Sequence, residues 1–211
     1  AIAYANHTRL DCSVFICALQ RHSAKSQVQH VRKANKLLLW MQKRPKRLFF
    51  PQFDNASDHL RIVSDAAFKR EPEDGYSLRG ALFLRCSGSD HVSKRVNAHI
   101  IDWVSRSQKH VCRSTFAAEL LGACDAIDRG ILISQMLYEV RHGRHSASDM
   151  RKMRTNGGFI PTSVYIDAKS VFAALGATFI KTPADCSLLT HLHYVNEQLQ
   201  LGILRSIVWV D

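Results

Sequence analysis

The stretch "AHIIDWVSRSQKHVCRSTFAAEL", residues 98–120, decides the fold because it joins a predicted strand to a predicted long helix. The segment 98–105 is rich in β-branched and apolar residues, which favours a strand. Ser114 is a good N-cap, and the helix that it begins continues to about residue 140. Helical spacing places five apolar residues on one stripe: Phe116, Leu120, Cys124, Ile127 and Ile131. Glu119 lies beside this stripe, where a carboxylate is rarely found without a partner.

The flanking sequence predicts a mixed α/β sheet. Two strands, 59–68 and 79–86, precede the quoted stretch, with polar turns at 71–77 and 87–97, so three consecutive strands form an antiparallel meander. After the long helix, the basic segment 141–159 is predicted to be a loop. Two further strands with helices between them complete the chain, and their predicted order is strand 163–168, helix 169–176, helix 185–202 and strand 204–211.

Length and composition exclude several classes of protein. The 211 residues, 46% of them hydrophobic, fit one ordinary domain plus an extra segment. No apolar run approaches the roughly 20 residues needed to cross a bilayer, so no membrane association is predicted. The six cysteines are scattered without a C-x-x-C pair, which favours reduced core thiols over a zinc site or a disulfide framework. An intracellular location follows, in the cytoplasm, the nucleus or both.

The net charge of +11 is concentrated in the first quarter of the chain. Residues 1–57 contain ten Lys and Arg and two acids, a net +8, whereas residues 58–211 contain nineteen and sixteen, a net +3. The stretch 30–44 predicts an amphipathic helix whose apolar stripe is Val31, Ala34, Leu38 and Met41. Its basic residues project elsewhere: Arg32, Lys33, Lys36 and Lys43. Such a surface suits a phosphate backbone, although a solvated helix face explains it equally well. Turn composition at 51–59 predicts a boundary between the basic segment and the domain that follows.

Three carboxylates occupy positions that invite a shared explanation. Asp65 and Asp167 each follow an apolar run, so each is expected to end a strand, and Glu119 is the acid beside the helical stripe. If they converge at one edge of the sheet, a cation is needed to offset their repulsion, and Mg²⁺ favours such an oxygen-rich site. The alternative is three independent residues at strand ends and on a helix surface.

Several motifs, and their order along the chain, resemble the ribonuclease H domain at the C-terminal end of copia-type retrotransposon polyproteins. They are "VSDAAF" (63–68), "SVYIDAKS" (163–170), the C-terminal stretch 188–211 and, above all, "WVSRSQKHVCRSTFAAEL" (103–120). The family has a strand ending in W-x-S-x-x-Q, then a turn, then S-T-x-A-E opening the long helix. The resemblance covers residues 58–211, and residues 1–57 resemble the end of the reverse transcriptase that connects to that domain.

The resemblance implies a fold, an activity and a set of site residues. The fold is a ribonuclease H-like mixed five-stranded sheet flanked by helices, preceded by a small helical basic segment. The activity is cleavage of the RNA strand of RNA/DNA hybrids during reverse transcription, with two Mg²⁺ ions, or Mn²⁺ in their place, as cofactors. Asp65, Glu119 and Asp167 fall on the family's metal-binding and catalytic acids. The hybrid and the rest of the polyprotein, including the polymerase, would be the partners.

Other positions depart from the family or allow two interpretations. The family's fourth acid lies in a helix beyond the last strand, so it is expected after residue 211, and residues 1–211 are expected to cleave weakly. Ser114 can cap the helix or contact a phosphate, and Gln108 can contact nucleic acid. The segment 141–159, longer than the family usually has there, can grip the hybrid or be a solvated insertion.

Two other functions remain open from the sequence. The first is a decayed or domesticated remnant that binds nucleic acid without cutting it. The second is another nuclease of the ribonuclease H-like class, of integrase or transposase type, acting on duplex DNA. The intact acid trio counts against the first, and the strand–turn–helix motif around Glu119 counts against the second.

Overall fold

The computed structural model describes residues 2–53, 58–68, 77–88, 96–177 and 179–211. The predicted turns at 71–77 and 87–97 and the predicted boundary at 51–59 lie partly or mostly outside these ranges. Within the described part, none of the helices combines the length and apolarity that a membrane crossing requires.

Five strands form one mixed sheet in the order β3-β2-β1-β4-β5. The strands are β1 His59–Ala67, β2 Leu78–Ser87, β3 Asn97–Ser107, β4 Thr162–Ile166 and β5 Ser206–Trp209. Strands β1 to β3 form the predicted antiparallel meander, whereas β4 runs parallel to β1, and β5 parallel to β4. The predicted architecture, a mixed five-stranded sheet flanked by helices, is confirmed.

Seven α-helices accompany the sheet in the described residues. They are α1 Ile2–Ala5, α2 Ser13–Arg21, α3 Val28–Lys43, α4 Thr115–His142, α5 Ala147–Thr155, α6 Lys169–Leu175 and α7 Leu189–Gln200. Helix α2 packs against the edge strand β3, and α4 packs across β1, β2 and β4. The sheet and α4 therefore form the core, and the basic segment lies against its β3 edge.

The long helix α4 is the main partner of the sheet. Of its predicted stripe, Leu120, Cys124, Ile127 and Ile131 are buried, and Phe116 is half-buried against the core. A Cβ at Gly130 would collide with the Ile62 side chain of β1, so glycine permits the close approach of helix and strand. This packing fixes the position of the first turns of α4 over the sheet.

The segment 141–159 does not form the predicted loop. Helix α4 continues to His142, and α5 occupies Ala147–Thr155. The Ser146 hydroxyl accepts a hydrogen bond from the Asp149 amide and so caps α5. Only Met150 of this helix is buried, because most of its other positions are polar. The sequence therefore lacks the apolar periodicity by which a helix is recognised.

Helix α3 forms as predicted, but the predicted inner stripe Val31, Ala34, Leu38 and Met41 is wrong. No residue of α3 is buried, and Val31 and Leu38 are 52% and 37% exposed. Instead, Leu37 and Trp40 face α2 across a groove. The helix packs beside one short helix rather than on the sheet, so no broad apolar stripe is needed to seat it.

Candidate metal centre

The structure brings Asp65, Glu119 and Asp167 together. Each offers a carboxylate oxygen, and these oxygens all lie within 4.8 Å of one another. Asp65 lies on β1, Asp167 directly follows β4, and Glu119 is in the second turn of α4. Because β1 and β4 are parallel neighbours with Ser64 opposite Ile166, the next residue of each strand falls at the same height of the sheet.

Asp65 does not end its strand, contrary to the prediction. Strand β1 continues through Ala66 to Ala67 and keeps its pairing with β2, in which Asp65 lies opposite Gly80. The first four residues of β1 are all buried, whereas Val63, Asp65 and Ala67 are exposed. One face of β1 thus becomes open to solvent where the acidic cluster begins.

Glu119 reaches the cluster because the start of α4 is held in place. The Ser114 hydroxyl accepts a hydrogen bond from the Ala117 amide, which is the predicted N-cap. The Gln108 side-chain amide donates to the Ala118 carbonyl at 2.9 Å, and its backbone amide donates to Ser77. These bonds tie the first turn of α4 to the turn after β3 and to the start of β2.

Asp167 is held from the other side by β5. The Trp209 indole N–H donates to the Asp167 carbonyl at 3.1 Å, and the Val210 amide donates to Ile166. The Lys169 ammonium lies 5.4 Å from the centre of the Trp209 ring, within range of a cation–π interaction. Trp209 and Lys169 could not be predicted from the sequence, since no pattern along the chain reveals which strand flanks β4.

The cluster is electrostatically strained without a cation. Burial, with added repulsion from Asp65 and Asp167, raises the pKa of Glu119 from 4.5 to about 7. Burial, with repulsion from Asp167, also raises the pKa of Asp65. Within the described ranges, no Lys, Arg or His forms an ion pair with any of the three carboxylates.

The donor set fits a hard divalent cation. Three convergent carboxylates supply only oxygen ligands, which Mg²⁺ and Mn²⁺ prefer. Glu119 is 8% exposed, whereas Asp65 and Asp167 are both exposed. One ligand is therefore fixed in the protein and two face solvent, so coordination positions remain for water or for oxygens of a substrate.

The other predicted site residues lie in different environments. Gln108 is 4% exposed and bonded within the protein, which argues against the predicted contact with nucleic acid. Ser114 is exposed and acts as the cap. The four basic residues of α3, namely Arg32, Lys33, Lys36 and Lys43, are all exposed, and Lys33 and Lys36 line the groove between α2 and α3.

Several solved structures are distantly similar to this chain. Neither a protein-family model nor a curated protein matches the sequence. The N-terminal ribonuclease H domain of a Mycobacterium tuberculosis protein, fused to maltose-binding protein, is 17% identical with a TM-score of 0.37 over 72% of this chain and 81% of its own. Ribonuclease H1 of Halobacterium salinarum is 10% identical with a TM-score of 0.38 over 72% and 83%.

A third structure, the ribonuclease H1 named LC11, was solved in complex with an RNA/DNA hybrid. It is 12% identical, with a TM-score of 0.40, over 72% of this chain and 83% of its own. TM-scores below 0.5 at such identities are too low to transfer an activity. The function is therefore inferred from the geometry of the acidic cluster and from the residues that surround it.

Proposed function

We propose that this protein is a metal-dependent endonuclease that hydrolyses the RNA strand of RNA/DNA hybrids during reverse transcription of a copia-type retrotransposon. The observation that carries the proposal is the convergence of Asp65 on β1, Glu119 on α4 and Asp167 just after β4, whose carboxylate oxygens lie within 4.8 Å of one another. The family resemblance of the segments around these three acids supports the choice of substrate.

The three acids have distinct tasks in this proposal. Asp65 and Asp167 face solvent and would hold divalent ions where the scissile phosphate arrives, while Glu119 anchors the same ions from the protein side. When bound, Mg²⁺ or Mn²⁺ would supply an activated water and charge stabilisation for the leaving oxygen. Because burial and the two aspartates raise the pKa of Glu119 to about 7, Glu119 would have to release a proton to serve as a metal ligand near neutral pH, and a bound cation would favour that release by offsetting the repulsion among the three carboxylates.

The basic residues of α3 would contact the phosphate backbone of the hybrid. Arg32, Lys33, Lys36 and Lys43 are exposed in a segment with a net charge of +8, and backbone contacts need no sequence recognition. The polymerase and the rest of the retrotransposon polyprotein would be the remaining partners, in the cytoplasm or nucleus of the host cell.

Cleavage of hybrids labelled on either strand tests the proposal. With Mg²⁺ or Mn²⁺ we expect cleavage of the RNA strand alone, and a loss of about a hundredfold or more in Asp65→Asn and in Glu119→Gln, because ions held loosely are positioned poorly. Glu197→Gln, on the exposed face of α7, is the matched control and should cleave like the wild type.

Two outcomes would overturn the proposal in favour of its alternatives. Metal-dependent binding of the hybrid without cleavage, by the wild-type chain extended past residue 211 to include the helix that carries the fourth acid, would indicate a nucleic-acid-binding remnant. Cleavage of duplex DNA in preference to the hybrid would indicate an integrase-type or transposase-type nuclease. Cleavage that persists in both Asp65→Asn and Glu119→Gln would show that the acid trio is not the site.

A further inference from the structure

A groove separates helices α2 and α3, on the basic segment and apart from the acidic cluster. Its volume is about 570 Å³, and its walls carry the aromatic side chains of Phe15 and Trp40, the imidazoles of His22 and His30, and the ammonium groups of Lys33 and Lys36. Phe15 is 60% exposed, and no residue of α3 is buried. A 16-residue helix with no buried residue gains little from packing, so a partner that covers this face would stabilise it.

The charge around the groove selects an anionic partner. Residues 12–53, which include both helices, contain nine Lys and Arg and no Asp or Glu. No described carboxylate forms an ion pair with Lys33 or Lys36. The Arg44 guanidinium adds another positive charge, 5.3 Å from the centre of the Trp40 ring. A partner that lacked negative charge would leave this concentration of like charges uncompensated.

The rings in the groove are suited to flat, aromatic groups. His22 and His30 are stacked with 4.2 Å between ring centroids and 5° between ring planes. His30 is held in this orientation because its Nδ1 accepts a hydrogen bond from the Gln27 amide at the start of α3. The side of the groove near His30 thus presents ordered ring faces, and Phe15 and Trp40 supply further ones.

The exposed ring of Phe15 and the partly exposed ring of Trp40, beside lysines that no described carboxylate pairs with, are a combination that suits single-stranded nucleic acids. Unpaired bases stack on aromatic side chains, while their phosphates bind to nearby cations. In a duplex the bases are stacked on one another and cannot enter such a groove. We propose that the groove between α2 and α3 binds a single-stranded stretch of nucleic acid, with bases stacked on Phe15 and Trp40 and phosphates on Lys33 and Lys36.

This inference goes beyond the proposed cleavage of hybrids and does not depend on catalysis; it shares Lys33 and Lys36 with the proposed contact to the hybrid's backbone. A single-strand site on the basic segment would hold an unpaired extension of a nucleic acid, such as an overhang next to a hybrid. Asp65→Asn removes a ligand of the candidate metal centre and leaves the groove unchanged, so the two proposals fail separately.

Binding of fluorescently labelled 12-nucleotide oligo-dT and oligo-U, followed by anisotropy, tests the single-strand site. Phe15→Ala should weaken binding by about five- to a hundredfold, the range that loss of one base-stacking contact gives. Phe49→Ala removes a ring that is 81% exposed in the same basic segment but does not line the groove, and it should bind like the wild type. Phe15→Tyr keeps a ring and should restore most of the affinity, which separates stacking from misfolding.

Salt dependence tests the role of the lysines. Lys36→Ala should flatten the plot of log affinity against log salt by about 0.7, the contribution of one phosphate contact in a single strand. Lys25→Ala removes the same charge from an exposed position outside the groove, and its slope should match the wild type.

Three results would overturn the single-strand site. Equal losses in Phe15→Ala and Phe49→Ala would show that stacking does not occur in this groove. Wild-type affinity in both would exclude a stacking role altogether. Self-association of the protein that Phe15→Ala abolishes, without any change in oligonucleotide binding, would assign the groove to a second copy of the chain.

Discussion

At the scale of the residue, Glu119 shows how a single carboxylate can be unfavourable for folding and useful for function. It is buried beside two aspartates, and this burial, with repulsion from the aspartates, raises its pKa, so its negative charge is unfavourable in that place. Replacing it with an apolar residue would favour folding. Its retention is explained if a cation offsets the repulsion.

The raised pKa predicts an unusual dependence of stability on pH. Between pH 4.5 and about 7 the folded state holds the Glu119 proton while the unfolded state releases it, so the free energy of unfolding falls as pH rises through this range. Without metal, Glu119→Gln should therefore gain about 1 to 3 kcal/mol relative to the wild type between the acid and the alkaline end of the range. Urea unfolding in EDTA across this range measures the difference.

Glu197→Gln, an exposed change on α7, is the control for the effect of pH on the rest of the protein. Parallel curves for the wild type and Glu119→Gln would contradict the prediction. In saturating Mg²⁺ the wild type should be more stable to unfolding than Glu119→Gln. The cation stabilises the folded state through three ionised carboxylates, and Glu119→Gln lacks one of them.

At the scale of the element, the strands β4 and β5 determine where Asp167 lies. Their hydrogen bonding continues past the end of β4, through Val210 to Ile166 and through the Trp209 side chain to Asp167. An aspartate just after a strand is otherwise free to adopt several backbone conformations. Strand β5 thus acts as a clamp on one metal-binding residue.

Trp209→Phe should weaken metal binding without unfolding the sheet. The change removes one exposed hydrogen bond, worth about 1 kcal/mol, so we expect Mg²⁺ or Mn²⁺ affinity to fall by about three- to tenfold. Isothermal titration calorimetry measures it. Trp103→Phe, on β3 at the far side of the sheet, is the matched control and should bind metal like the wild type. Equal metal affinities for both variants would show that the Trp209 hydrogen bond does not position Asp167 for metal binding.

At the scale of the whole molecule, positive charge and the acidic cluster are carried by different parts of the chain. The basic segment lies along the β3 edge, whereas the acids lie on β1, after β4 and on α4. Because the basic side chains lie apart from the acids, they can attract backbone phosphates without neutralising the carboxylates.

This arrangement predicts salt-dependent binding of an RNA/DNA hybrid through α3. Changing Arg32, Lys33, Lys36 and Lys43 to Gln should lower the slope of log affinity against log salt by up to about 3.6, which corresponds to four phosphate contacts on a duplex. Changing Arg144, Arg151, Lys152 and Arg154 to Gln, in and just before α5, removes the same charge and is the control. A larger decrease of the slope in the α5 variant would show that the segment 141–159, rather than α3, contacts the hybrid's backbone.

The sequence by itself determined the local elements and the candidate acids. Apolar periodicity marked the strands and α4, and Ser114 marked where α4 begins, because these signals act between near neighbours in the chain. The sequence did not reveal α5, and the apolar stripe that it predicted for α3 is not buried, since α5 has only one buried residue and α3 has none. Only the tertiary structure decided that the carboxylates of Asp65, Glu119 and Asp167 converge. It also decided that Gln108 is buried and that β5 is hydrogen-bonded to Asp167. Those facts depend on strand order and on helix packing, which residues far apart in the chain establish only by burying a common core.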